Sequence, residues 1–178
     1  MKFFFIIILL FSNVALTKDN GNKILKYSLI QYEQPINFKE ITYFDLEDKP
    51  LTLEEYNGNI TIIHFWATWC TFCINNIKEL DNLYKKLKSE KKEQTINIIT
   101  LSEDYKDPNI IKNFFSQKNI EFLEPYVDKK NTIFNNLKIT SIPSTIILNK
   151  EGKEVVRING FIDWGKDKDF LEILAKYQ

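Results

Sequence analysis

The sequence predicts an α/β protein in which a mixed central β-sheet is flanked by helices. Two short segments rich in β-branched residues, 60–66 and 95–101, are typical of strands buried on both faces. Between them, apolar residues recur at spacings of three and four over 70–88, as in an amphipathic helix. Strands and helices alternate first, and a hairpin and a helix come last, which favours a mixed sheet over a purely parallel one.

The remaining elements are predicted in chain order. Residues 18–35 are polar and only weakly periodic, which predicts a linker and places the folded domain at 36–178. Two short segments, 41–45 and 51–53, flank a turn and predict a small β-hairpin. The later elements are a helix that starts at Pro108, a strand over 122–127, one or two helical turns over 131–137, strands over 144–148 and 154–158, and a helix over 167–177. Gly152 is expected to take positive φ in the second hairpin.

Length and composition exclude several classes of protein. A chain of 178 residues is long enough to bury a core without metal or disulfide cross-links. Its 24 basic and 24 acidic side chains give no net positive charge for binding nucleic acid. Two cysteines and one histidine are too few for a closed tetrahedral metal site, so no metal is expected.

Residues 1–17 are expected to be a signal peptide or an N-terminal anchor. Lys2 precedes the apolar run 3–11, and small or polar residues follow. This run is shorter than the roughly 20 residues of a membrane span. An apolar N-terminal strand is the alternative. Export would place the protein in the periplasm, secreted or anchored to the inner membrane and facing the periplasm, where disulfide chemistry is common.

The two cysteines carry the candidate chemistry. Cys70 and Cys73 lie at the start of helix 70–88, directly after strand 60–66. Unpaired N–H groups at a helix N-terminus stabilise a thiolate, so the pKa of Cys70 is expected to be lowered into a reactive range. Cys73 lies one turn further along the same face, where it can resolve a mixed disulfide formed by Cys70. The pair predicts redox chemistry that needs no cofactor.

Three other interpretations of the cysteines stay open at this point: a structural disulfide, a metal half-site, and two unrelated core residues. A ring of four residues gains little chain entropy, which argues against a structural cross-link. A metal half-site would need ligands that this chain lacks. The context of strand, turn and helix favours a redox-active pair.

The motif FWATWCxxC over 65–73, with the segment 46–53 before it and the segment IPST over 142–145 after it, resembles the TlpA/ResA/CcmG group of exported thioredoxin-like oxidoreductases. The resemblance begins near residue 36. It implies a thioredoxin fold with an N-terminal β-hairpin and a central helix-strand insertion. It also implies that Pro143 is cis beside the cysteines and that the backbone of Ile142 pairs with substrate, although sequence alone favours a trans bond.

Several side chains near the cysteines are expected to adjust the chemistry. Phe72 stands where this family usually has proline, and Thr71 and Phe72 together are expected to help set the redox potential. Neither residue supplies a cation or an imidazole, which favours a reductant. Trp69, directly before the nucleophile, is expected to form a rim on which a partner lies. Asn76 stands where ResA-like members carry a glutamate, which argues against acid-assisted proton transfer from that side.

His64 lies six positions before Cys70, where thioredoxins have a buried aspartate. Its side chain is expected to point beneath the pair toward Cys73. There a neutral imidazole would serve as general base for the resolving thiol. The alternative is a structural histidine bonded to backbone or water.

These patterns predict a monomeric thiol-disulfide oxidoreductase that reduces disulfides of client proteins in the periplasm. The resemblance implies clients in cytochrome c maturation or in copper-site assembly of a respiratory oxidase. It also implies electrons from a membrane reductase of the DsbD or CcdA type. The alternatives are a DsbA-like oxidant or isomerase, a peroxiredoxin-type peroxidase, and a binding or copper-delivery module that uses the cysteine pair as a transient ligand.

Overall fold

The computed structural model describes residues 17–19, 22–24, 27–38, 40–91, 95–104, 107–166 and 168–177. The predicted signal or anchor, 1–17, lies outside the described residues apart from Thr17. In the part of the chain that is described, no helix is long and apolar enough to cross a membrane.

The described chain forms strands first, then strands and helices in alternation. The strands are β1 (Thr17–Asp19), β2 (Asn22–Ile24), β3 (Tyr27–Asn37), β4 (Tyr43–Phe44), β5 (Pro50–Leu51), β6 (Ile60–Trp66), β7 (Ile96–Ser102), β8 (Pro125–Val127), β9 (Ser144–Leu148) and β10 (Lys153–Gly160). The helices are α1 (Thr71–Ser89), α2 (Pro108–Lys118), α3 (Thr132–Asn136) and α4 (Lys168–Tyr177), with short 3-10 helices at Glu54–Tyr56 and Lys129–Asn131. These bounds agree closely with the predicted elements from residue 41 onward.

Eight of the strands form one mixed sheet in the order β3-β10-β9-β6-β7-β8-β4-β5. β6 is parallel to β7, from Ile60 beside Ile96 to Trp66 beside Ser102, and antiparallel to β9 on its other side. All seven residues of β6 are buried, as expected of an apolar strand covered on both faces. Because β6, β7 and β8 run parallel, their carboxyl ends meet at one edge of the sheet. The predicted mixed sheet flanked by helices is confirmed.

Two apolar layers cover the sheet. One face carries α1, α2 and α4, whose buried residues pack with Ile62 and Trp66 of β6. The other face carries α3 and residues near β4, which pack with Ile63 and Phe65. The side chains of β6 therefore contribute to both layers, because successive side chains of a strand point to opposite faces. The second predicted hairpin is present as β9 and β10, and Gly152 in its turn has φ of +69°.

The predicted linker over 18–35 is wrong over much of its length. β3 begins at Tyr27 and pairs antiparallel with β10, with Tyr27 beside Gly160. Tyr27 and Leu29 are buried and belong to the same apolar layer as α1, whereas most of β3 beyond residue 32 is exposed. Hydrophobic periodicity does not reveal this strand, because only two apolar positions mark its inner face. The domain therefore begins before residue 36.

One buried carboxylate of α1 fixes the chain that follows α2. Asp81 is buried, and its side chain accepts hydrogen bonds from the backbone N–H groups of Glu121, Phe122 and Leu123 at 3.2, 2.8 and 2.9 Å. We expect Asp81→Asn to lower the free energy of unfolding by about 1–2 kcal/mol, because the new amide cannot accept all three bonds. Denaturant titration measures this change. Asn82→Ala, at an exposed position of the same helix, is the control, and an equal effect of the two substitutions would refute the anchoring role.

Candidate active site

Cys70 and Cys73 form a disulfide at the N-terminus of α1, with Cα atoms 5.2 Å apart. Cys70 is the N-cap residue and has an extended backbone, so the helix begins at the residue after it. Its sulfur accepts a hydrogen bond from the Cys73 N–H at 3.2 Å. The same N–H also donates to the Cys70 carbonyl at 2.9 Å. An N–H in the first turn of the helix thus points at the sulfur that would carry negative charge in the reduced protein.

The two cysteines differ in their access to solvent. Cys70 is 8% exposed, and Cys73 is fully buried at 0%. A partner sulfur must approach the sulfur with which it exchanges. Cys70 is therefore the member of the pair that a partner can reach, and Cys73 is placed to close the ring from inside.

The rim around Cys70 is aromatic and carries no charge on the helix side. Trp69 is 69% exposed and Phe72 is 73% exposed, the two highest values among the large hydrophobic side chains described. Thr71 is exposed as well, and the first turn of α1 holds no acidic residue. Two large apolar side chains in water on either side of a reactive sulfur are typical of a surface that a partner covers.

The segment before β9 completes the other side of the site. The Ile142–Pro143 peptide bond is cis, as the family resemblance implies and against the trans form favoured by sequence alone. The Ile142 carbonyl oxygen lies 3.9 Å from Cys70 Sγ. Ser144 pairs with Phe65, which places the start of β9 beside the end of β6. The pairing of the Ile142 backbone with substrate stays a prediction.

His64 is fully buried on the face of β6 that α1 covers. Its Nδ1 lies 3.0 Å from Thr145 Oγ1, and its ring meets Trp164 edge to face with the centroids 5.4 Å apart. Burial lowers the pKa of His64 to about 3. The imidazole is therefore neutral near pH 7, but a pKa this low makes it a weak base. Its role as base for Cys73 stays a prediction.

Asn76 has a structural partner. It is fully buried on α1, and its Nδ2 donates to the Ile162 carbonyl at 2.6 Å. This bond ties the helix that carries the cysteines to the chain that follows β10. An amide has no proton to exchange near pH 7, so the role that the structure shows for Asn76 is this hydrogen bond.

Asp104 joins the site, although the sequence predicts no role for it. Its carboxylate accepts hydrogen bonds from Thr68 N–H at 2.6 Å and from the Thr68 hydroxyl at 2.9 Å. Thr68 belongs to the loop that carries Trp69 and Cys70. Asp104 directly follows β7. Because the ends of the parallel strands β6 and β7 lie at the same edge of the sheet, a residue after β7 can be expected beside the loop after β6.

Glu103 lies beside this contact and is buried. Its N–H donates to the Trp66 carbonyl at 2.9 Å, and its side chain accepts from Asn131 Nδ2. Burial, and then the neighbouring Asp128 carboxylate, raise the pKa of Glu103 to about 8. Near pH 7 Glu103 is therefore mostly protonated. Across the described ranges, no group of three or more His, Cys, Asp or Glu side chains is arranged to hold a metal ion.

Comparison with known proteins agrees with this geometry. A family model described as thioredoxin-like matches residues 58–154. Thiol-disulfide oxidoreductase ResA from Bacillus thuringiensis subsp. konkukian is 31% identical over 116 residues, which are 65% of this chain and 64% of ResA. The match therefore spans less than two thirds of the length of that relative.

Solved structures agree at lower identity. A thiol:disulfide interchange protein from Chlorobium tepidum is similar with a TM-score of 0.65 at 20% identity, over 82% of this chain and 98% of that one. The exposed lipoprotein thioredoxin from Streptococcus pneumoniae is similar with a TM-score of 0.63 at 21% identity, over 78% and 99%. These likenesses confirm the predicted thioredoxin fold.

Proposed function

Because this chain belongs to the thioredoxin-like family, we propose that it is a thiol-disulfide oxidoreductase that reduces disulfides of client proteins. The observation that carries the proposal is the unequal exposure of two cysteines at one helix N-terminus, with Cys70 reachable and Cys73 buried. The ResA relative, which is a thiol-disulfide oxidoreductase by name, supports the same activity.

The reaction transfers two electrons to the client. The Cys70 thiolate attacks one sulfur of the client disulfide, the S–S bond of the client breaks, and the released client sulfur takes up a proton. A mixed disulfide now joins Cys70 to the client. The Cys73 thiol loses its proton and attacks Cys70 Sγ, which releases the second client thiol and forms the Cys70–Cys73 disulfide. A second dithiol must then reduce this disulfide.

The direction we propose, reduction of the client, follows from the surroundings of Cys70. A strong oxidant stabilises its thiolate, which makes the reduced form more stable. Here Thr71 and Phe72 supply no cation, and the only histidine is neutral and buried. The helix N-terminus and the Cys73 N–H are the stabilising groups shown for Cys70.

Trp69, Phe72 and Ile142 are the residues we propose for binding the client. We expect Phe72→Ala to raise KM for a protein disulfide roughly fivefold with little change in kcat, because loss of one apolar contact at an interface costs about 1 kcal/mol. Steady-state kinetics with insulin as client measures both constants. Leu171→Ala, which removes an exposed apolar side chain from α4, is the matched control. Equal KM values for the two variants would contradict the binding role.

The compartment and the partners belong to the same proposal. We propose that the protein works in the periplasm, secreted or anchored, and the exposed lipoprotein among the similar structures supports a place outside the cytoplasm. The clients are proposed to be cysteine pairs of apocytochrome c or of a respiratory copper site. A membrane reductase of the DsbD or CcdA type would return Cys70–Cys73 to the dithiol.

Insulin reduction tests the activity without knowledge of the natural client. In the presence of dithiothreitol, the protein should accelerate precipitation of the insulin B chain, because it exchanges with the insulin disulfides faster than the small dithiol does. A rate equal to that of dithiothreitol alone would contradict the proposed activity. Protease protection in intact cells tests the proposed compartment separately.

A further inference from the structure

We propose that Asp104 is a positioning residue that holds the nucleophile loop, residues 67–70, against the end of β7, and that its negative charge disfavours the thiolate of Cys70. This inference rests on the proposed function, because it takes Cys70 as the attacking sulfur. It adds a second residue type to the site, a carboxylate outside the CxxC motif.

The hydrogen bonds define how the loop is held. Both carboxylate oxygens of Asp104 accept a hydrogen bond from Thr68. Oδ2 accepts from the Thr68 backbone N–H at 2.6 Å, and Oδ1 accepts from the Thr68 hydroxyl at 2.9 Å. Bonds from two donors of one residue fix its position and its orientation together. Thr68 lies two residues before Cys70, so the fixed position of Thr68 constrains the position of Cys70.

The carboxylate is itself fixed to the sheet. The Ser102 hydroxyl donates to Asp104 Oδ2 at 2.9 Å, and the Asp104 N–H donates to the Ser102 hydroxyl at 3.1 Å. Ser102 is fully buried and pairs with Trp66 in the parallel register of β6 and β7. Asp104 therefore connects the loop to the end of the neighbouring strand, which is a rigid part of the sheet.

The two ends of the loop, Ala67 and Cys70, are buried in the core, and the anchor fixes the part of the loop between them. Cys70 N–H donates to the Ala67 carbonyl at 3.2 Å, which closes a turn within the loop but does not attach it to the sheet. The Trp69 side chain is 69% exposed and packs little against the protein. A reacting group that is displaced by about 1 Å loses up to about a hundredfold in rate, so the anchor has a direct consequence for attack by Cys70.

The charge of Asp104 acts on the same sulfur. Asp104 Oδ2 lies 2.6 Å from the Thr68 nitrogen, and Cys70 follows two residues later, a span of at most about 7 Å. The carboxylate therefore lies within roughly 14 Å of Cys70 Sγ, well inside the Debye length of about 30 Å at 0.01 M salt. A negative charge at that distance makes a thiolate less favourable, which raises the pKa of the thiol and favours the disulfide form. The charge thus acts in the direction of a reductant.

The other titratable groups around the loop are Glu103, Asp128 and His64. Glu103 is mostly protonated near pH 7, since its pKa is raised to about 8. The Asp128 carboxylate, directly after β8, accepts hydrogen bonds from the backbone N–H groups of Ile133 and Phe134. His64 is neutral on the α1 side, and the first turn of α1 holds no acidic residue. No cation of the described residues is paired with Asp104.

Two substitutions separate the charge from the anchor. Asp104→Asn removes the charge and keeps the size of the side chain, and we expect the Cys70 thiolate to form at lower pH, with an acid dissociation constant two- to threefold larger. The equilibrium with glutathione should shift by about the same factor toward the dithiol. Thr68→Val removes the hydroxyl bond and keeps the charge, and we expect kcat for insulin reduction to fall about tenfold with no change in the pKa of Cys70.

Matched variants make the test decisive. Glu151→Gln removes an exposed carboxylate in the β9–β10 turn, at the opposite end of the sheet, and should leave the pKa of Cys70 and the glutathione equilibrium unchanged. Thr68→Ser keeps the hydroxyl and should restore kcat. The pH profile of Cys70 alkylation by iodoacetamide needs no client, so it tests the charge effect even if insulin reduction fails.

The inference is overturned by either of two results. One is that the pKa of Cys70 and the equilibrium with glutathione are the same in Asp104→Asn as in Glu151→Gln. The other is a Thr68→Val kcat equal to that of Thr68→Ser. If Asp104→Asn fails to fold, the comparison of the two Thr68 variants still decides whether the loop is anchored in this way.

Discussion

Replacing Cys70 by serine should abolish disulfide reduction, whereas replacing Cys73 by serine should leave the protein joined to its client. The reason is the order of attack that follows from exposure, since a partner reaches Cys70 and does not reach the buried Cys73. Without Cys70 no mixed disulfide forms. Without Cys73 the mixed disulfide forms but cannot be resolved from inside the protein.

The measurement is insulin reduction for Cys70→Ser, and non-reducing electrophoresis with mass spectrometry of the trapped species for Cys73→Ser. We expect the rate for Cys70→Ser to equal the rate without protein. Cys73→Ala should trap the same client as Cys73→Ser, because both variants lack only the resolving sulfur. Trapping by Cys70→Ser and not by Cys73→Ser would reverse the roles assigned to the two cysteines.

Stability should fall as pH rises from 6 to 8 because of Glu103. Burial and then Asp128 raise the pKa of Glu103 to about 8, whereas the unfolded chain titrates near about 4.3. Between these values the folded protein holds a proton that the unfolded chain has lost. This contribution to stability is complete below about pH 4 and is lost as pH rises through the folded pKa. The free energy of unfolding should fall by about 2 kcal/mol between pH 6 and pH 8.

Glu103→Gln should remove this fall, because the amide does not titrate. Thermal unfolding at several pH values measures it, and about 2 kcal/mol corresponds to about 4–8 °C in Tm for a chain of this size. Burial lowers the pKa of His64 to about 3, so the contribution of His64 to stability rises with pH. This contribution is the same in wild type and in Glu103→Gln. Glu151→Gln, at an exposed turn, is the control. If Glu103→Gln and wild type lose stability in parallel over this range, Glu103 is not the group responsible.

The sequence predicts the centre of the fold well because its signals there are strong. The strand at 60–66 is apolar at nearly every position, and the structure gives the same bounds. The helix predicted over 70–88 differs from α1 by one residue at each end. β3 was beyond the reach of periodicity, because its pairing with β10 is decided by contacts distant in sequence and only Tyr27 and Leu29 mark its inner face.

The site was predictable in its motif but not in its surroundings. The pairing of Cys70 with Cys73 follows from the local sequence, whereas the cis bond before Pro143 follows from the family resemblance alone. Glu103 and Asp104 come 30 or more residues after the cysteines and join the site only because β6 and β7 are parallel neighbours. The orientation of His64 toward Cys73 stays a prediction, and its contact with Thr145 depends on the antiparallel pairing of β6 with β9.

The reduction potential of the Cys70–Cys73 pair, measured by equilibration with glutathione, tests the central claim most directly. The potential combines the effects that the site imposes on Cys70, namely the helix N-terminus, the uncharged residues between the cysteines and the nearby Asp104. A protein that reduces its clients should lie below about −200 mV, on the side of thioredoxin rather than of DsbA. A value above about −200 mV would show an oxidant and contradict the proposed direction of electron flow.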